Sequence, residues 1–295
     1  MEHLNWGIPV ALYLFAAGMG AAAFFVAVMA DLAGGKKYAS VRLAGALIAP
    51  WPVIIGVLFL VVDLGNPQRF WEMLLRRGEG FSLAPPYLMF NPESIMSWGT
   101  WLLTLFTIIA LIYMVACIIG IPFSWGSVLT KIVGVIGLPF AVMVAVYTGV
   151  LLSATPNPLW SNWVLPVVFI ISATDTGLAA IIFILALMKL VNIIGDEDTV
   201  LHDLEKIDCW VIGVLLVCLA IFIGVGIQVA PMRAMIGAKF GLLFWVGIVG
   251  LGLVVPMIIE RKQSVSAHTS LVISALILLG GFFLRYVILY AGQLA

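Results

Sequence analysis

Four residues carry exchangeable protons into stretches that otherwise carry almost none. Tyr13 sits in IPVALYLFAAGMG, Asp63 ends PVIIGVLFLVVD, Tyr147 stands in AVMVAVYTGVLL, and Asp175 lies in IISATDTGLAA. An acid can take up and release a proton, and a phenol can donate or accept a hydrogen bond. In apolar surroundings each is expensive without a partner or a task. Each also admits a structural reading. A buried tyrosine can satisfy a neighbouring carbonyl, and Asp63 can cap the turn that follows it or pair with Arg69. Asp175 can be a protonated carboxyl that holds two helices together.

The elements that must position these groups follow from composition. Of 295 residues, 64% are hydrophobic and 9% charged, against ~25% charged in an average soluble protein. About 20 consecutive apolar residues cross a bilayer as a helix. Eight such runs fill the chain, at about 6–30, 43–63, 94–119, 128–154, 162–188, 209–230, 239–259 and 267–290. Gly and Pro clusters or charged stretches separate them: GGKK at 34–37, GIPFSWG at 120–126, TPNPLWSN at 155–162 and GDEDTVLHDLEK at 195–206. The last is read as a solvated loop. The expected fold is an all-α integral membrane protein of eight transmembrane helices, in two adjacent four-helix bundles, forming a single integral membrane domain over residues 1–295. The start Met1-Glu2-His3 lacks Lys and Arg and the first run is long, so no cleaved leader is expected.

An even number of spans puts both termini on one side. The connections on that side carry Arg69, Arg76, Arg77, Arg233 and Lys239. The other side carries Lys36, Lys37, Arg42, Lys131, Lys189, Lys206, Arg261 and Lys262. The excess of positive charge marks the cytoplasmic side, so both termini are expected outside. Trp6, Trp98, Trp101, Trp160 and Trp163 then form an outer aromatic belt, with Trp125 and Trp210 toward the inner one. Beyond Asp63 the chain turns through Gly65-Asn66-Pro67. It resumes with Phe70, Trp71, Leu74 and Leu75 on one face, flanked by Arg69, Arg76 and Arg77, which predicts a short interfacial helix over 67–77.

Depth follows from a rise of 1.5 Å per residue. Tyr13 and Tyr147 each lie about seven residues, or ~10 Å, below the outer surface, and Asp175 lies ~20 Å down, near the midplane. Asp63 ends the second span, and Ser97 and Trp98 open the third on the same side. The first four spans thus all bring polar groups to the outer third. The histidines are His3, His202 and His268, none placed to clamp a haem between helices, so no haem is expected. Cys117, Cys209 and Cys218 form no CxxC, and no metal is expected in the chain. Zero formal net charge argues against a nucleic-acid partner.

WGIPVALYLFAAGMGAAAF, DLGNPQRFW, MSWGTW and YTGVLLSATPNPLWSN, in that order, resemble the membrane subunits of the NrfD/PsrC (polysulfide reductase) family. The resemblance implies a haem-free quinol-binding subunit of the bacterial or archaeal cytoplasmic membrane. It implies partners: a ferredoxin-like four-cluster iron–sulfur subunit and a molybdopterin catalytic subunit on the outer face. Tyr147 matches a quinone hydrogen-bonding position, and Tyr13 falls where the family places a polar ring. Asp63 and Arg69 match the acid and base of the loop motif. Asp175 departs from the family pattern, which often has Ser or Thr there, and is read as a proton relay. The expected site is then Tyr13, Tyr147, Asp63, Ser97 and Trp98 for menaquinone or ubiquinone, with Asp63 and Asp175 handling protons. Arg69, Trp71, Arg76 and Arg77 are expected to dock the iron–sulfur partner. A proton-coupled secondary transporter, suggested by the midplane acid, and a passive anchor are the alternatives.

The orientation is directly testable. A reporter that is active only when exported should work after Ala295 and fail in the acidic stretch around Asp196; the reverse pattern would turn the molecule over.

Overall fold

The computed structural model describes residues 6–34, 37–63, 94–119, 124–193, 198–237, 239–261 and 266–294. Among them every regular element is helical, as hydrocarbon requires of a chain that must satisfy its backbone internally. Eight helices are long and apolar enough to cross a membrane. They are α1 (Ile8–Gly34), α2 (Ala39–Asp63), α3 (Ile95–Ile119), α4 (Ser124–Ser153), α5 (Leu165–Leu190), α6 (Asp198–Gly226), α7 (Leu243–Glu260) and α8 (Ala267–Gly292). The chain is a multi-pass membrane protein. A short helix, Ala230–Ile236, precedes α7. The expected interfacial helix 67–77, with Arg69, Trp71, Arg76 and Arg77, lies outside the described residues.

Small residues set the packing. On α1, Gly20 lies against the Ala49 carbonyl of α2, and Gly45 of α2 lies against the Ala23 carbonyl of α1. On the other side of α1, Gly177 of α5 meets Ala22 and the backbone of Ala23. Lipid tails are as apolar as Leu, so helices in a bilayer gain mainly from such close backbone approach. α1 packs most extensively against α2, then against α4 and α5, and less against α8. α5 in turn contacts α4, α6 and α8 as well as α1. Gly252 and Gly280 make the α7–α8 crossing, where a Cβ on Gly280 would stand 2.6 Å from the Gly252 Cα. Leu243–Val254 of α7 is wound as a π-helix before it tightens to α-helical geometry at Val255.

Both ends of the chain meet at one end of the molecule. Gln293 donates to the Trp6 carbonyl at 3.0 Å, and Asn157 donates to the Gly292 carbonyl at 2.7 Å. Trp6 stacks on Trp160, with centroids 5.3 Å apart. This corrects the belt: Trp160 is 2% exposed, and its indole N–H donates to the Ile288 carbonyl. Gly292 leaves room for that ring, which is why an indole that looks interfacial in sequence is internal here. Trp98 and Trp163 are exposed at this end, and Trp210 at the other.

The largest correction concerns 195–206. The sixth helix begins at Asp198 rather than near residue 209. Val200, Leu201 and Leu204 are buried, and they pack with Ala23, Val41, Ala44, Leu178, Ile181 and Leu185. The charges of this turn are held by partners rather than by water alone: Asp203 accepts from Lys37 at 2.6 Å and from the Tyr38 hydroxyl at 2.9 Å, and Lys189 pairs with Asp198. Ion pairs at the end of a bundle let a charged turn remain helical.

Glycine contacts yield a paired test. Gly177→Ala puts a methyl group into the α1 backbone and should destabilise by about 1–3 kcal/mol, as overpacking does. Gly213 has open space around it, so Gly213→Ala should be neutral or gain up to about 1 kcal/mol of helix propensity. Thermal unfolding in detergent reads both.

Candidate functional site

A cavity of about 450 Å³ lies between α1, α2, α3 and α4 at the end where the termini meet. That is within the size range of ligand pockets. Val10 and Tyr13 come from α1 and Trp6 from just before it, and Ile54, Val57, Val61 and Asp63 from α2. Met96, Gly99, Thr100, Leu103, Thr104 and Thr107 come from α3, and Tyr147 and Leu151 from α4. The helical period explains the set. Thr100, Leu103, Thr104 and Thr107 are three or four residues apart on one face of α3, and Tyr147 and Leu151 repeat the spacing on α4.

The lining is mostly apolar, with a few polar groups at distinct places. Tyr13 is fully buried, and its hydroxyl has no hydrogen-bond partner among the described residues. The Tyr147 hydroxyl donates to the Ile95 carbonyl at 3.3 Å, a long bond. Gly99 lets the hydroxyl end of that ring approach α3 closely, since any Cβ there would overlap it. Thr100 and Thr104 donate to the carbonyls four residues earlier, at 2.9 and 2.7 Å. Their hydroxyl lone pairs are left as acceptors facing the cavity. Asp63 is exposed at the last residue of α2 and marks the rim.

The structure thus brings Tyr13, Tyr147 and Asp63 together, as their depths suggested. Ser97 and Trp98 are not among the residues lining the cavity, and Trp98 is 53% exposed. The lining from that stretch comes instead from Met96, Gly99 and Thr100, because Ser97 and Trp98 fall on other faces of the helix. Thr100, Thr104 and Thr107 do not stand out in the sequence, where threonine in an apolar run is common. Their i, i+4, i+7 spacing was the available signal.

Asp175 does not line this cavity. It belongs to a second polar constellation, built by α5, α6, α7 and α8. Asp175 and Arg285 are each 1% exposed, Asp208 is 0% and Glu260 2%. Arg285 donates to Ser172 Oγ at 2.7 Å and to the Gly281 carbonyl at 2.9 Å. Its guanidinium stands 5.8 Å from the Phe15 ring and 5.6 Å from that of Phe169. Both oxygens of Asp175, and Nε and Nη2 of Arg285, have no hydrogen-bond partner among the described residues. Asp175 is nevertheless within electrostatic reach of Arg285 and of Asp208 and Glu260. Glu205 is also buried and accepts from Ser270 at 2.5 Å.

Glu205, Asp208, Glu260 and Arg285 were missed in the sequence because three of them border charged turns. The signal lay in Leu201, Glu205, Asp208 and Ile212, four positions that share one face of a helix once 198–209 is helical.

The chain matches the family described as "Polysulphide reductase, NrfD" over residues 1–295. It belongs to the NrfD family. It is 30% identical to Protein NrfD of Escherichia coli (strain K12) over 322 residues, covering 99% of this chain and 96% of that protein. It is 30% identical to the C chain of the polysulfide reductase of Wolinella succinogenes over 313 residues, covering 98% and 94%. A more distant relative, 26% identical over 183 residues, is the Hdr-like menaquinol oxidoreductase integral membrane subunit of Archaeoglobus fulgidus, with 61% of this chain and 42% of that protein covered. These matches extend the likeness through α6, α7 and α8, where no motif was recognisable.

The Asp175–Arg285 coupling is open to a double-mutant cycle. Removing one member of a buried charge pair typically costs about 3–5 kcal/mol, while replacing both by apolar residues is often neutral. Arg285→Leu should therefore lower the unfolding temperature sharply, and Asp175→Leu with Arg285→Leu should recover most of the loss. A double variant as unstable as Arg285→Leu alone would mean the two groups are not coupled.

Proposed function

We propose that this chain is the quinone-reactive membrane subunit of an oxidoreductase complex. It exchanges electrons between menaquinone or ubiquinone in the cytoplasmic membrane and an iron–sulfur protein docked on the side of the termini, outside the cell. A molybdopterin-type catalytic subunit completes the complex. The observation that carries the reading is the Tyr13 hydroxyl: buried, without a described partner, and lining a largely apolar cavity that opens beside Asp63. A buried donor left unsatisfied costs about 1–3 kcal/mol, and no described residue of the chain supplies the Tyr13 hydroxyl with a partner, which supports a bound ligand in that place. Membership of the NrfD family and the names of the relatives support the same class.

The residues fit a quinone head group. The cavity is lined by Tyr147 and largely by aliphatic side chains, and it offers phenolic donors and threonine acceptors. A quinol supplies two electrons and two protons. Tyr13 and Tyr147 hold the ring oxygens, fixing its distance from the outer surface. The two electrons pass to the iron–sulfur partner, and Asp63, at the rim and exposed, takes the two protons in turn and passes each to water. The aliphatic walls from α2 and α3 exclude solvent from the ring. Arg69, Trp71, Arg76 and Arg77, in the connection that follows Asp63, supply the docking face for the iron–sulfur partner. No haem or metal is assigned to this chain. A passive anchor would leave the Tyr13 hydroxyl and the cavity without a use.

Tyr13→Phe separates ligand binding from structure. It removes a hydroxyl that bonds nothing described in the chain, so the unfolding temperature should hold or rise. Quinone affinity, or quinol-linked turnover of the assembled complex, should fall roughly five- to a hundred-fold, since each ~1.4 kcal/mol is a factor of ten. Tyr147→Phe should show a similar kinetic loss with a small loss of stability, from its bond to Ile95. Turnover with an artificial donor that feeds the partner directly should be intact in both. Quinone kinetics unchanged in Tyr13→Phe would remove the central member of the site.

A further inference from the structure

We propose that the groove between α6 and the end of α7 is a binding site for one membrane phospholipid with an anionic headgroup. Its phosphate sits at Lys206 and Arg261, and an acyl chain runs inward along Gly213, Val214 and Val217. The inference does not rest on the quinone reading, because the groove and the tyrosine cavity share no lining residue.

Three observations carry it. The first is shape. The groove has a volume of about 920 Å³, at the upper end of the range for ligand pockets. His202, Lys206, Cys209, Gly213 and Val217 recur every three or four residues, so one stripe of α6 forms its wall. Glu260, the last residue of α7, and Arg261 after it close the other side. α6 packs mainly against α5, and it meets α7 chiefly over Val255–Glu260 and little over Leu243–Val254. The gap between the two helices is therefore left open beyond Glu260, and a Cβ placed at Gly213 would meet nothing within 4 Å. The second is a gradient of polarity along the stripe. His202, Lys206 and Arg261 stand at the end of the molecule opposite the termini, while Gly213, Val214 and Val217 lie deeper and are apolar. From Cys209 to Val217 the helix rises ~12 Å, close to half of the ~30 Å hydrocarbon core. Trp210, 79% exposed, stands between the two parts, at the level where indoles of membrane proteins collect.

The third is charge. Lys206 and Arg261 are exposed, and neither has an ion-pair partner among the described residues. Asp203 is within electrostatic reach of Lys206, but it already accepts from Lys37 and from the Tyr38 hydroxyl. Glu260, the acid of the groove, is 2% exposed and belongs to its floor. The charges at the rim are thus two cations, one on each side of a cleft between spans, and such basic clefts take the phosphates of lipid headgroups. A free phosphate would use only the cations, and an apolar helix of a partner only the stripe. A phospholipid uses both, in the order in which they are set along the helix. Once bound, it fills the gap between α6 and α7 and ties the two helices where their own packing is thin.

Native mass spectrometry of the purified chain tests this, with phosphatidylglycerol and phosphatidylcholine of identical acyl chains as the probes. The unmodified chain should retain one phosphatidylglycerol in preference to phosphatidylcholine. Lys206→Gln and Arg261→Gln should each weaken that binding roughly five-fold, as expected for one basic residue beside an anionic headgroup, and Lys206→Arg should bind as the unmodified chain does. Gly213→Leu keeps both cations and fills the open stripe, so it should weaken binding at least as much. In lipid-free detergent none of these variants should unfold earlier than the unmodified chain, since the altered side chains hold nothing described. Added phosphatidylglycerol should raise the unfolding temperature of the unmodified chain and not that of Gly213→Leu, and inorganic phosphate should raise neither. Equal retention of the two lipids, undiminished binding in the cation variants or in Gly213→Leu, or stabilisation by inorganic phosphate alone would each overturn the site. Loss of the retained lipid when the complex assembles would give the groove to a partner's helix and overturn it as well.

Discussion

Hydrocarbon offers no hydrogen bonds, and every feature of this molecule answers to that constraint. The backbone meets it by staying helical through eight crossings. Between helices there is no hydrophobic drive to exploit, so Gly20, Gly45, Gly177, Gly252 and Gly280 let backbones touch instead. α1 has such contacts on both sides, with α2 and with α5, and so becomes the post around which the other helices are set. Its small residues serve that packing: Gly18 faces Ala173 and Arg285, and Gly20 faces Ala49.

The same constraint makes the polar side chains informative. Most hydroxyls in the spans are spent locally: Thr100, Thr104, Thr148, Thr174 and Thr176 donate to carbonyls three or four residues back. Trp160 reaches across to the Ile288 carbonyl. Among the described residues, Ser40 Oγ, Trp101 Nε1, the Tyr113 hydroxyl and His202 Nδ1 remain without a partner, and two groupings of such atoms remain besides. One is the Tyr13 hydroxyl beside Tyr147 and Asp63; the other is the cluster of Asp175, Asp208, Glu260 and Arg285. Polar groups held in hydrocarbon are expensive, which sets these two groupings apart from the hydroxyls bonded within their own helices.

The two places are separated along the same helices. Tyr13 and Gly18 belong to one helix, and Gly18 touches Arg285. The tyrosine cavity lies near the termini, while Glu260 of the acid cluster lines a groove at the other end of the helices. A rigid post common to both is the kind of element through which a change at one site can bias the other, for packed helices shift between discrete arrangements rather than deform continuously.

The number of spans, the helical class and the family were legible in the sequence, as was the meeting of Tyr13, Tyr147 and Asp63 at one cavity, because each depends on local quantities: hydropathy summed over a span, the rise of a helix, the order of short motifs. The tyrosine cavity was legible for the same reason, since residues at equal depth on adjacent helices meet. Orientation around a helix axis was not legible. Ser97 and Trp98 have the right depth but not the right face, and the threonines of α3 have both. Nor was burial of charge. Glu205 and Asp208 stand in a stretch whose composition reads as solvent-exposed, and Asp203, Lys37, Tyr38, Lys189 and Asp198 make it helical through contacts between distant parts of the chain. Trp160 likewise reads as an interfacial anchor until Gly292 and Ile288 give it an interior place. Hydropathy sums a side chain's preference without knowing its neighbours. Only the tertiary structure brings the partners together, and in a medium of low dielectric the partners decide whether a charge is a solvated loop or a buried site.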